Sequence, residues 1–465
     1  MSAFWHIRIE NFMKIVSLLT LVCTSLCLTG CGGSSSDESA TYPNAYLQFY
    51  NGSANSATTA LVANLTSTSS SSDIAIGSAG FADSTPLQSM DAGSYTLKLN
   101  FTATSGSVTT VLTDKAELQN SQKTLLLLTG DYASPELLHL TFRRDDTLDD
   151  QFKTILVNLI NNSKTYDLYL GDAEKTFAEA VLVGSAGYKT ITAAKTLDVD
   201  TYKLYLTEGG ARTVLFESDP IALSYLTEYV LVARAAVGPG SGKFAIDVIG
   251  NTTSVTTLED INANAQFRVY NSIDQVNPAN IHLGELSAAP IFSGLAADTL
   301  SPYIETVAGD YRVSLSDQDN QLVMRNGLVT LNQGAVKTVV FYLDAAEKAA
   351  AITLTDSKLP QVFDFNFNVV NVIPEFSQIS VYFVKPGQTM ETTSNFISTL
   401  NYASQSAVAL PVGEYTMYIV HKDANNNKIL LAQTELVKLT AGSHYLLVAE
   451  PDFYAASGYK LSLVK

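Results

Sequence analysis

One short signature recurs four times along this chain and limits what the chain can fold into. A small or acidic residue, any residue, a tyrosine and then alternating apolar positions appear at Ala92-Gly93-Ser94-Tyr95, Val199-Asp200-Thr201-Tyr202, Ala308-Gly309-Asp310-Tyr311 and Val412-Gly413-Glu414-Tyr415. The tyrosines lie 107, 109 and 104 residues apart. Other features keep the same phase. An opening apolar run ends in asparagine at Asn51, Asn158, Asn271 and Asn371, and a late hydrophobic run follows each tyrosine at Thr124–Leu128, Tyr229–Val232, Val339–Leu343 and Tyr445–Val448. Closing runs follow at Leu138–Phe142, Phe244–Val248, Ile352–Leu354 and Tyr459–Leu463. The repeats therefore span 42–147, 150–255, 263–358 and 362–465.

A period this long exceeds the ~20–50 residues of a solenoid unit. It matches the size at which a single hydrophobic core becomes self-sufficient. The chain is low in charge and rich in Tyr, Thr, Val, Leu, Ser and Asn, which favours half-buried strands joined by polar turns. The sequence thus predicts an all-β protein of four tandem immunoglobulin-like (or transthyretin-like) antiparallel β-sandwich domains, since two facing sheets bury one side of every alternating strand. The Tyr-x-Leu-x-Leu pattern directs the tyrosine and both leucines to one face. A tyrosine at a strand entrance buries its ring and spends its hydroxyl on nearby backbone, as in a tyrosine corner. Tyr95, Tyr202, Tyr311 and Tyr415, with the four asparagines, are accordingly read as structural. The first repeat lacks a clear second strand and carries Ser/Thr-rich sequence at Thr66–Ser72 instead.

The N-terminus carries a secretory signal. Lys14 precedes an apolar run from Ile15 to Leu28, too short to remain as a spanning helix, and small residues follow it. Met13 is a second candidate start, because Glu10 suits a signal poorly. The segment Leu28-Thr29-Gly30-Cys31 resembles the lipobox of bacterial lipoproteins. That resemblance implies cleavage before Cys31, diacylglycerol on its thiol and a signal peptide over 1–30. Residues 31–41 then form a lipidated tether. Cys23 and Cys27 leave with the signal, so Cys31 has no disulfide partner in the processed chain. Two or three acyl chains on one residue hold a protein firmly, whereas a single chain anchors it marginally. Gly32 at the next position favours the outer membrane in the enteric sorting pattern that it resembles.

The repeat as a whole resembles the bacterial family catalogued as domain of unknown function 4397, found in exported and lipid-anchored proteins. The fourth repeat fits best, with Val412-Gly413-Glu414-Tyr415 and the later Leu439-Thr-Ala-Gly442-Ser-His-Tyr445; in the second, Asp200 stands where the family has glycine. The resemblance implies a fold and an envelope location and carries over no catalytic residue.

Composition removes several functions. The formal net charge of −17 opposes nucleic acid and anionic headgroups. The processed chain keeps four histidines, His139, His282, His421 and His444, without HxH or HExxH spacing. His139 and His282 read as strand-surface residues. No G-x-S-x-G elbow or phosphate-binding loop appears, and Gly238-Pro-Gly-Ser-Gly242 reads as a flexible loop. No cofactor is expected. Two hairpin tips carry oxygen ligands spaced two apart, Asp317 with Asp319 and Asp423 with Asn425, which suits calcium, although the same residues are ordinary in β-turns. Asp145, Asp146, Asp149 and Asp150 form a further acidic cluster between repeats.

These observations lead to a lipid-anchored envelope protein acting as a non-enzymatic binding, adhesion or structural module. Its membrane contact is the lipid on Cys31, and its partner is a protein or glycan of the envelope. Three alternatives stand beside it: a carbohydrate-binding surface lipoprotein, a subunit or assembly factor of an outer-membrane complex, and a cryptic hydrolase. The absence of tryptophan after Trp5 weighs against sugar stacking.

Overall fold

The computed structural model describes residues 44–66, 72–103, 106–145, 148–284 and 289–465. The signal, the lipobox and the tether lie outside them. Among the described residues the chain is all β: strands joined by turns, with a single 3-10 turn at Phe177–Glu179. Residues 43–465 form one compact unit.

The strands build eight sheets, taken in pairs along the chain. In the first pair, the opening strand Asn44–Asn51 lies between the late strand Gln122–Thr129 and the short strands Asp83–Ser84 and Gln88–Asp91; the closing strand Glu136–Arg143 forms the outer edge. The facing sheet orders Ile74–Ala79, Thr59–Leu65, the tyrosine strand Gly93–Thr102 and Val108–Leu118. Leu47, Phe49, Leu61, Tyr95, Leu97, Leu99, Leu126 and Leu128 close the core between them. Comparable cores form around Phe152 and Leu206, around Phe267 and Leu315, and around Phe367 and Met417.

Three details depart from the sequence reading. Each pair of sheets corresponds to one sequence repeat and is called a unit below; its ladders are antiparallel except at one strand pair. There the opening and late strands run parallel, as in Asn51 opposite Leu128, Asn158 opposite Ala233, Asn271 opposite Phe341 and Asn371 opposite Ala449. Apolar patterning reports which face is buried, not strand direction, so the sequence could not show this. The first repeat does have a second strand, Thr59–Leu65, placed before the Ser/Thr-rich stretch. Residues 256–262, left between the second and third repeats by the sequence bounds, begin within a fifth strand, Val255–Glu259, paired with Phe244–Ile249.

The late strands explain the continuous apolar runs of the sequence. Leu126 and Leu128 point into their own core, while Leu125 and Leu127 point the opposite way into a second cluster with Tyr50, Ile155, Val157, Val230 and Val232. The parallel-paired sheets of the first two units therefore pack against each other. Those of the third and fourth units do the same through Tyr270, Val340, Val370, Val372, Leu446 and Val448. A strand buried on both faces needs apolar residues at every position. Each fully buried aliphatic contributes about 1.5–3 kcal/mol. Smaller contacts join the two halves: Phe363 packs with ring centroids 5.5 Å from both Phe101 and Tyr132, and Lys358 pairs with Glu259 at 2.5 Å.

Candidate functional site

The repeated residues do one job four times. Each signature tyrosine donates its hydroxyl to the carbonyl four residues earlier: Tyr95 to Asp91 at 2.9 Å, Tyr202 to Asp198 at 2.7 Å, Tyr311 to Val307 at 2.6 Å and Tyr415 to Pro411 at 2.7 Å. The turn before the strand is thereby tied to the strand itself. Burial pushes the Tyr415 hydroxyl up to about 12, so it stays a donor. Each opening-strand asparagine is fully enclosed. Its side-chain oxygen accepts the backbone N–H two residues on, from Ser53, Ile160, Ile273 and Ile373. Its amide donates across the sandwich to Ala79, Ala186 and Leu400 in three units, and to Val276 in the third. The asparagine thus turns the chain out of one sheet and fastens it to the other.

The unusual chemistry lies between units, where charged groups are enclosed. At the first interface Asp247, fully buried, accepts Tyr50 Oη at 2.5 Å, Arg234 Nε at 2.6 Å, Arg234 Nη2 at 3.1 Å and Thr257 Oγ1 at 2.7 Å. Burial works against the Arg234 charge, but Asp247 more than offsets it and holds the guanidinium cationic. Burial, then the Asp247 charge, pushes the Tyr50 hydroxyl well up, so it remains a donor. At the second interface Tyr270 donates to Glu450 at 2.8 Å, Ser462 donates to the same oxygen, and Lys460 lies 4.0 Å away. Burial dominates there and raises the Glu450 carboxyl to about 7. The two interfaces use one plan, with tyrosine from the odd unit and a carboxylate from the even one. Nearby, Asp356 gathers Tyr303 at 2.7 Å, Thr338 at 2.5 Å and Asn368 at 2.8 Å, with Arg268 at 3.6 Å. A buried charge left unpaired would cost several kcal/mol. These groups are paired and serve cohesion.

Lys123 is the exception in chemical character. It is wholly enclosed, its Nζ donates to Asn251 Oδ1 at 2.7 Å across the first interface, and burial lowers its ammonium to about 8. Sequence reasoning passed over Lys123, Arg234, Asp247, Arg268 and Glu450. The signal that marks them is a charge set within or beside a run of apolar residues.

The calcium candidates sit in hydrogen-bonded hairpin tips. Asp317 Oδ1 accepts the N–H groups of Asp319 and Gln321, and Asp423 accepts those of Asn425 and Asn427 together with the Asn427 side chain. Each carboxylate folds its own hairpin tip, as Asp344 does through Ala346 and Lys348. Among the described residues no group of three or more His, Cys, Asp or Glu converges as a metal set would. In the acidic linker, Asp145 pairs with Lys153 and with Arg143, and Asp146 lies outside the described residues. Of the histidines, His139 meets Asp114 at 3.0 Å and His421 packs against Phe376 in a tilted contact with centroids 4.4 Å apart. His282, read as a surface residue, is buried and bonds Ser316 at 3.3 Å, because both sides of its strand are covered.

Two of the concavities among the described residues have mixed apolar and charged linings. A cavity of about 220 Å³ is lined by Phe81, Arg234, Phe244, Lys358 and the Gly238–Gly242 loop. That loop is pinned: Gly238 has φ +75° and a Cβ there would lie 2.1 Å from the Lys358 carbonyl oxygen. A second, of about 400 Å³, is rimmed by Asp274, Glu347, Glu375, Asp452, Phe453 and Tyr459. Cys31, Leu28, Thr29 and Gly30 lie outside the described residues.

No family model matches the chain, and no curated protein does. Among solved structures, the chain is similar to the major pilin subunit BcpA of Bacillus cereus, at 7% identity over 64% of this chain and 98% of the pilin, with a TM-score of 0.14. A cell adhesion protein candidate from Bacteroides fragilis matches at 10% identity over 66% of this chain and 85% of its own, with a TM-score of 0.13.

Proposed function

We propose that the chain is a lipid-anchored protein of the bacterial cell envelope, probing its surroundings through a stiff, non-enzymatic body that binds or braces an envelope partner. The observation that carries the reading is the use of the buried carboxylates: Asp247 and Glu450 each accept a tyrosine hydroxyl from the neighbouring unit and so lock the units together. A body locked this way presents its outer faces at fixed spacing, which suits binding or bracing. The anchor rests on Leu28-Thr29-Gly30-Cys31, and the family reading on the fourfold tyrosine signature. Metabolic labelling with radioactive palmitate, with activity-based hydrolase probes applied to the purified chain, tests both halves. Label on the wild type that Cys31→Ala abolishes, with no probe adduct, is the expected outcome. An unlabelled chain, or a covalently probed nucleophile, contradicts the reading.

Carbohydrate binding is the second reading, favoured by exposed aromatics. Phe453 and Tyr454 stand 76% and 93% exposed beside the acidic-rimmed groove, and Tyr225 is 66% exposed. Rings so displayed are stacking platforms. A glycan array on the wild type and on a Phe453→Ala, Tyr454→Ala double variant decides it. Hits that the double variant loses support the reading, and an array without hits removes it.

A further inference from the structure

We propose that Lys123 and Asn251 condense, without an added enzyme, into an amide cross-link between the first and second units, assisted by Glu228. Three features of the site converge on this chemistry. Lys123 sits on the late strand of the first unit, completely removed from water, with its Nζ 2.7 Å from the Asn251 side-chain oxygen. Asn251 belongs to the turn after Phe244–Ile249 of the second unit, so the pair spans the interface. Its Nδ2 donates to Thr227 Oγ1 at 3.0 Å, and that hydroxyl donates to Glu228 Oε2 at 2.6 Å. The future leaving group is thus wired to a carboxylate. Glu228 is itself 1% exposed, and its Oε1 is enclosed without a hydrogen-bond partner among the described residues.

An amine attacks an amide only when it is neutral and held against the carbonyl. Burial favours the neutral amine at Lys123, whose ammonium falls to about 8, while the nearby Glu228 charge opposes that shift. Holding the two groups in one geometry replaces a bimolecular encounter and supplies much of the barrier reduction. In the reaction Glu228 takes one proton from the Lys123 ammonium. The Nζ lone pair then forms the bond to Asn251 Cγ, and the Cγ–Nδ2 bond breaks. Nδ2 leaves as ammonia with a second proton from Nζ, and the proton held by Glu228 follows it to give ammonium. Atoms and charge balance with no oxidant or co-reactant.

The corresponding places in the second half isolate these features. By register, Val336 stands where Lys123 does and His444 where Glu228 does, so the same reaction has no reactants there. The second half instead pairs Lys460 with Asp298 at 2.7 Å. Burial opposes the Lys460 charge, but the hydrogen bond to Asp298 and the surrounding carboxylates prevail and hold the amine charged. Asp298 is 41% exposed in its side chain, so an ion pair suffices.

Tryptic mapping of the purified full chain tests the proposal directly. The expected result is a branched peptide joining residues 116–143 to residues 244–268, lighter than the sum of its two parts by one ammonia, with cleavage lost at Lys123. Lys123→Arg should abolish the branch, and Glu228→Gln should leave mostly linear peptides in a chain with unchanged circular dichroism. Linear peptides ending at Lys123 in the wild type would overturn the cross-link. A branch retained in full by Glu228→Gln would overturn the role of the glutamate. The wild-type result stands whether or not a variant folds.

Discussion

Tyr415 shows how a single hydroxyl holds a fold in register. Its ring is fully buried in the fourth core and its Oη reaches the Pro411 carbonyl at 2.7 Å. Tyr415→Phe keeps the ring and strands that carbonyl, which costs about 0.5–1.5 kcal/mol. Equilibrium denaturation should show that loss without a change in any binding activity; unchanged stability contradicts the structural role. Glu450 gives a pH signature. Its folded carboxyl titrates near 7 against an ordinary 4.5, so the folded state favours the protonated form. The contribution to stability is full below about 4.5, falls as pH rises through 7 and is flat above. Glu450→Gln should remove that fall and raise the melting temperature at pH 8. A stability curve that rises across the same window, or one insensitive to the substitution, contradicts it. The tyrosines and asparagines were legible in the sequence because they repeat. Asp247 and Glu450 were not: they occupy non-equivalent positions, on the closing strand in one unit and the late strand in the other, so no repeat exposes them.

At the scale of the strand, the informative pattern is one that alternation hides. Gly93–Thr102 alternates cleanly, and the sequence places its buried face correctly. Gln122–Thr129 does not alternate, since Leu125 and Leu127 are as buried as Leu126 and Leu128. An uninterrupted apolar run signals two-sided burial but cannot say what covers the second side. Here the cover is the neighbouring unit. Leu127→Ala should therefore cost about 2–5 kcal/mol, as for a core leucine, although the side chain points out of its own sandwich. Leu430→Ala, at a position 48% exposed, should stay within about 0.5 kcal/mol. Chemical denaturation of the two variants measures the difference, and equal costs contradict the packing. Parallel pairing of the opening and late strands was equally invisible, because burial patterns are the same for either direction.

At the scale of the molecule, four repeats arrange themselves as two couples, 1 with 2 and 3 with 4. Deleting residues 42–147 alone should expose the apolar face around Ile155, Val157, Val230 and Val232 and give an aggregating chain. Deleting 42–259 removes a complete couple and should leave a soluble remainder with a cooperative melt. Size-exclusion chromatography distinguishes these outcomes, and a soluble, monodisperse product from the single deletion contradicts the coupling. In the proposed function the couples are the body that a lipidated Cys31 would hold at the membrane, and the most direct test of that proposal is crosslinking in intact cells followed by mass spectrometry. Wild-type chain should yield crosslinks from its outer faces to a defined envelope component. Cys31→Ala, folded but released from the membrane, should lose them. The same crosslinks from the Cys31→Ala chain, or none from the wild type, would contradict an anchored presenting module.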